Sequence, residues 1–79
     1  MQAGLLWYDS EPGRSVAAKA AAAAERFQEK FGVVPDVCYV SAKALKDGEL
    51  VVPFHNGQLR LVPANNILVN HFWIGLAGS

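Results

Sequence analysis

A chain of 79 residues makes one domain, and folding at that size buries only roughly 60% of the surface the unfolded chain exposes. Seven Lys and Arg against seven Asp and Glu leave no net charge, so the chain lacks the long-range positive field that most nucleic-acid binders use. Cys38 is the one cysteine and can form no internal disulfide, and no uninterrupted apolar run approaches membrane-spanning length; a cytoplasmic domain without a membrane segment is expected.

The first element is the apolar run Leu5-Leu6-Trp7-Tyr8, too short for a signal-peptide core and preceded by no basic residue. Asp9-Ser10-Glu11-Pro12-Gly13 stops it with the punctuation that follows a strand. Ser15 is placed to cap a helix over Val16 to Phe31, an alanine-rich segment free of glycine and proline. Val16, Ala20, Ala23, Ala24, Phe27 and Phe31 recur at three- and four-residue steps, so one stripe is expected to face the core. Gly32 is suited to a left-handed C-terminal cap, and Pro35 prevents continuation.

Val37 to Val40 reads as a second strand, parallel to the first through the helical crossover. Ser41 to Lys46 suggests a short helical turn, and Asp47-Gly48 leads into a strand over Leu50 to Phe54. Asn56-Gly57 is the pair best suited to a type I′ hairpin, because both central residues of that turn need positive φ. With these two as the loop, Phe54 lies opposite Leu59, Val52 opposite Leu61 and Leu50 opposite Pro63. Pro53 and Pro63 donate no ladder hydrogen bond, so their nitrogens should point away from a partner or mark a strand end. Ile67 to Leu76 supplies a last strand or a bent pair, with Phe72, Ile74 and Leu76 inward and His71, Trp73 and Gly75 outward. Together these give a two-layer α+β domain, one helix on a mixed four- to five-stranded sheet in the order β-α-β-β-β.

Candidate chemistry is sparse. Two distant histidines and one cysteine do not make a zinc spacing, so no metal or other cofactor is implied. Cys38 reads as a small core hydrophobe and His55 as a polar residue at the hairpin edge. Gly13-Arg14-Ser15 precedes the helix where free N–H groups attract anions, which makes Arg14 and Ser15 an anion-binding alternative to a plain capped start. It has a single glycine and no P-loop lysine, and Asp9 and Glu11 flank it. A small enzyme with a site near Asp9 and His71, with Ser10 as a nucleophile, requires a fold that brings them together.

One helix cannot cover both faces of such a sheet. Val51, Val62, Trp73, His71, Arg60 and His55, with an aromatic from either Trp7 or Tyr39, are expected on the uncovered face. The leading expectation is a non-enzymatic interaction module that binds a protein partner through this face or forms a homodimer by pairing open faces or edge strands. A weak single-stranded nucleic-acid or nucleotide binder, stacking bases on the aromatics beside Arg60 and His55, is the second reading, and zero net charge disfavours it. Finally, Trp7-Tyr8-Asp9-Ser10, Lys30-Phe31-Gly32 with Pro35 and Cys38-Tyr39-Val40, and the closing His71-Phe72-Trp73-Ile74-Gly75 are similar to short uncharacterised bacterial open reading frames of environmental and mobile-gene type. That resemblance implies a compact stand-alone domain and carries no site residue with it.

Overall fold

The structure, a computed structural model, describes residues 4–77. Along the chain run β1 (Gly4–Tyr8), α1 (Val16–Phe31), β2 (Val37–Ser41), β3 (Leu50–Phe54), β4 (Gly57–Ala64) and β5 (His71–Gly75). The two-layer α+β architecture stands, with five strands in one sheet and one strand more than the sequence order gave. The helix begins where Ser15 Oγ accepts the Ala18 N–H at 3.0 Å. It ends at Gly32, whose φ of 75° lets its N–H donate to the Gln28 carbonyl.

The sheet order is β1-β5-β2-β4-β3. β5 is antiparallel to both β1 and β2, so β1 and β2 run in the same direction, as the crossover requires, but with the last strand inserted between them. β2 and β4 form the parallel pair, and β3 closes the far edge antiparallel to β4.

Two local readings are corrected. Ser41 to Lys46 makes successive turns and no helix: Ala44 N–H donates to the Ser41 carbonyl, Lys43 N–H to Ser41 Oγ and Gly48 N–H to the Leu45 carbonyl. In the hairpin, Phe54 pairs with Gly57, Val52 with Leu59 and Leu50 with Leu61, so His55-Asn56 form the loop and the register differs by two residues from the Asn-Gly expectation. A two-residue slip leaves every side chain on its original face, because the side-chain period of a strand is two. The loop places positive φ at His55, 54°, an unfavourable region for a side chain with a Cβ. Two contacts offset that cost: the His55 ring meets the Phe54 ring edge-on at 4.4 Å, and its Nε2 lies 3.4 Å from Glu25 on the helix. Gly57, moved into the strand, pairs with Phe54.

The core lies between α1 and one sheet face. Ala20, Ala23, Ala24 and Phe27 of the helix meet Cys38, Val40, Phe54, Leu59, Leu61, Phe72 and Ile74, with Leu5, Trp7 and Val52 at its margin. Alanines at the contact allow close approach of helix to sheet, so Phe27 is the one large helix side chain fully buried. Phe31 departs from the expected stripe. It is 36% exposed, packed on Phe27 with ring centroids 4.6 Å apart. The stripe there runs past the last turn over the sheet.

Cys38 sits at the centre of this core with no exposed surface, and burial pushes its thiol up from 9.0 to about 12. The neutral form is therefore the folded form, and stability from this group is intact below pH 9 and lost as pH rises towards 12. Urea titrations at increasing alkaline pH should show a falling midpoint in the native chain that is partly removed in Cys38→Val. At neutral pH a thiol reagent should label Cys38 only on unfolding; fast labelling of the folded protein would contradict the burial.

Candidate interaction face

Residues paired across a sheet share a face, so the ladder registers specify what the side away from α1 carries. One row is Leu6, Trp73, Tyr39 and Val62, crossing four strands. A second is Gly4, Gly75, Val37, Arg60 and Val51, crossing all five. Tyr8 beside His71 adds a third, shorter row, their rings 5.0 Å apart. Leu6 is 62% exposed, Tyr8 60% and Val51 48%, while Trp73, Tyr39 and Val62 are half-buried. The outward aromatic left open by the sequence is Tyr39, at 5.7 Å from Trp73; Trp7 points under the helix, where the Arg26 guanidinium lies 5.6 Å from its ring.

Trp73 does not project freely. A methyl group built on Gly4 would fall among the indole atoms Cζ2 and Cε2, so the ring lies flat over Gly4 at the edge of the sheet. Gly4, opposite Gly75 in the ladder, has no side chain and so leaves the space that ring occupies. Val37, next in the same row, has no exposed surface although it belongs to the face opposite the helix.

Arg60 is the one formally charged side chain at the outward positions of the five strands, and its Nε lies 3.7 Å from Glu49. The face is thus apolar, aromatic and close to neutral. Val51, Val62, Trp73, His71 and Arg60 are all on it, as expected. His55 is not: its position in the hairpin loop and its approach to Glu25 turn it towards the helix layer. Leu6 and Tyr8, the most exposed apolar members, were not singled out by the sequence, because a four-residue apolar run gives no indication of which alternate positions face out.

The other candidates are taken up by local structure. Asp9 accepts from Glu11 N–H at 3.0 Å and approaches Arg14 Nη1 at 3.4 Å, so the chain's own carboxylate meets the arginine that an anion would need. Ser15 Oγ is engaged as the helix cap. Asp9 is turned to the helix start, whereas His71 stacks on Tyr8 across the sheet with its Nδ1 at the Val69 carbonyl; among the described residues no hydrogen bond joins Asp9 and His71, and Ser10 is exposed. Three or more His, Cys, Asp or Glu side chains do not gather anywhere among the described residues. A groove of about 210 Å³ lies where β2 and β4 end, bordered by Lys43, Asn65, Leu68 and Val69.

The fold and this face define a class: a two-layer α+β domain with one sheet face left open. No family model, curated protein or solved structure matches the chain. Among the described residues no helix is long and apolar enough to cross a membrane.

Proposed function

We propose that the protein is a non-enzymatic interaction module whose open sheet face meets the same face of a second copy. The row Leu6–Trp73–Tyr39–Val62 carries this reading, since it runs across four strands without a charged side chain. Water in contact with such a row is costly, and removing apolar area yields roughly 25 cal/mol per Å². Near-neutrality favours a copy of the chain over a charged partner, because a face whose only arginine is accompanied by Glu49 can oppose itself without repulsion. The Glu49 carboxylate beside Arg60 also offsets the positive charge next to the aromatics, which disfavours a stacked nucleic acid.

Area sets the strength. Five strands at about 4.8 Å spacing and about five residues at 3.3 Å cover roughly 400 Å² of flat sheet per copy, about half the roughly 800 Å² per partner of a standard interface and in the range of weak, transient contacts. Association is accordingly expected to depend on concentration.

Light scattering over a dilution series should show a mass rising above the monomer with concentration, and Val51→Lys should weaken the face-to-face association about tenfold or more with an unchanged circular dichroism spectrum. Val51 is the appropriate probe because it is already 48% exposed and its replacement spares the core. A monomer mass at every concentration, or full association in Val51→Lys, refutes the reading. Binding of a single-stranded oligonucleotide that weakens as salt rises would replace it with the nucleic-acid one.

A further inference from the structure

The sheet has two edges, and they differ. At the β3 edge, Phe54 and Gly57 close a two-residue loop and exchange hydrogen bonds, so the next residue, Pro53, directs its nitrogen away from β4. Proline thus removes a donor from the outer edge itself, one of the recurrent ways an edge strand is protected against pairing. β1 has no such protection. Its sequence Gly-Leu-Leu-Trp-Tyr contains neither charge nor proline.

The direction of the free groups on β1 follows from one bond. Asp9 N–H donates to the Asn70 carbonyl at 2.9 Å, in line with the β1–β5 register, which makes Asp9–Asn70, Trp7–Phe72 and Leu5–Ile74 the hydrogen-bonded pairs. Gly4, Leu6 and Tyr8 therefore direct their N–H and C=O groups outward, and these are also the β1 residues whose side-chain positions lie on the open face.

We infer that β1 is a second association site, where it pairs antiparallel with β1 of another copy about a twofold axis at Leu6, joining two sheets into one. In this register Leu6 faces Leu6 and Tyr8 faces Gly4 of the other copy. All the outward groups on each strand are used, giving about six backbone hydrogen bonds. The pairing is complementary in bulk, because the large Tyr8 side chain falls beside the position where Gly4 has none and where the Trp73 indole already provides an aromatic surface. Shifting the axis by one residue in either direction leaves one outward residue of each strand without a partner. Pairing β1 with β3 of another copy, which would propagate into fibres, meets the missing donor at Pro53. The inference goes beyond the face-to-face reading and does not depend on it.

Disulfide trapping separates the two. Directly opposed residues of a hydrogen-bonded antiparallel pair have Cα atoms about 5.5 Å apart, within the span of about 4.4–6.8 Å that a disulfide bridges. Stacked sheet faces lie about 10 Å apart, beyond it. Cys38 is buried and does not compete, so Leu6→Cys introduces a single accessible thiol. Under copper–phenanthroline oxidation Leu6→Cys should form a disulfide-linked dimer at least tenfold faster than Val51→Cys on the opposite edge, and the linked dimer should keep its circular dichroism spectrum. Leu6→Pro, which removes the outward N–H as Pro53 does at the other edge, should fold and lose this mode of association. Equal rates for the two cysteine variants, no linkage at Leu6→Cys, or a folded Leu6→Pro that associates as the native chain does would each overturn the inference. Because Leu6 also belongs to the face row, Leu6→Pro is compared with Leu6→Ala, which also shortens the side chain but keeps the outward N–H, so a loss confined to Leu6→Pro reports the edge and not the face.

Discussion

Phe27→Ala is expected to remove about 3–5 kcal/mol of stability, the range for deleting a fully buried aromatic ring. The loss is large because of what surrounds it. Ala20, Ala23 and Ala24, the other fully buried helix residues, are already as small as a side chain can be, so the helix has no neighbouring bulk to fill the space. Collapse would require the helix to move closer to Leu59, Leu61 and Ile74, which alanines already permit to contact distance. A domain of 79 residues has roughly 4–12 kcal/mol in total at the usual 0.05–0.15 kcal/mol per residue, so the variant should be partly unfolded or close to it at room temperature. Urea denaturation followed by circular dichroism checks this, with Phe31→Ala as the comparison. Phe31 is already 36% exposed and should cost less than about 1 kcal/mol. Equal losses for the two variants would mean that the helix sits differently on the sheet.

That contrast also shows what the sequence could disclose. Periodicity places Phe27 and Phe31 on one stripe, and it cannot say where the sheet beneath the stripe ends. The caps at Ser15 and Gly32 are legible because they satisfy backbone groups a few residues away. The insertion of β5 between β1 and β2 is not, since the residues it joins are far apart in sequence and nothing in the local pattern marks a strand as central. In the hairpin, turn chemistry favoured Asn56-Gly57, while the pairing of Leu50 and Val52 with Leu61 and Leu59 takes a non-glycine residue, His55, into positive φ. Here cross-strand packing outweighed a local preference. The open face was legible as a surplus of outward apolar residues. Its make-up was not: assigning Tyr39, Leu6 and Tyr8 outward and Trp7 inward required the register, and His55 joined the helix side through Glu25, a residue thirty positions earlier in the chain.

Gly4→Ala tests the feature of that face least visible in the sequence. Away from special sites, alanine in place of glycine in a strand reduces the entropy lost on folding and stabilises by about 0.5–1 kcal/mol. Here the added methyl would lie within 2.8 Å of Trp73 Cη2 and closer still to other indole atoms, so the ring or the strand must shift. Overpacking of this kind costs about 1–3 kcal/mol, and the clash should win. For a domain of this size a net loss of 1 kcal/mol lowers the melting temperature by about 4–8 °C. The ring, half-buried and bounded by solvent on its outer side, should be lifted off the sheet; in a Trp7→Phe background its fluorescence should shift to longer wavelength. Trp73→Ala alone uncovers Gly4 and is also destabilising. The double variant is then the decisive measurement: with the indole absent its clash with the methyl is gone, so the losses of Gly4→Ala and Trp73→Ala should fail to add by more than about 1 kcal/mol. Additive losses, or a Gly4→Ala protein that melts at or above the native temperature, would show that the indole does not rest on Gly4. The Leu6–Trp73–Tyr39–Val62 row would then present a mobile aromatic in place of a seated one, and the flat apolar face on which the proposed self-association rests would lose its fixed shape.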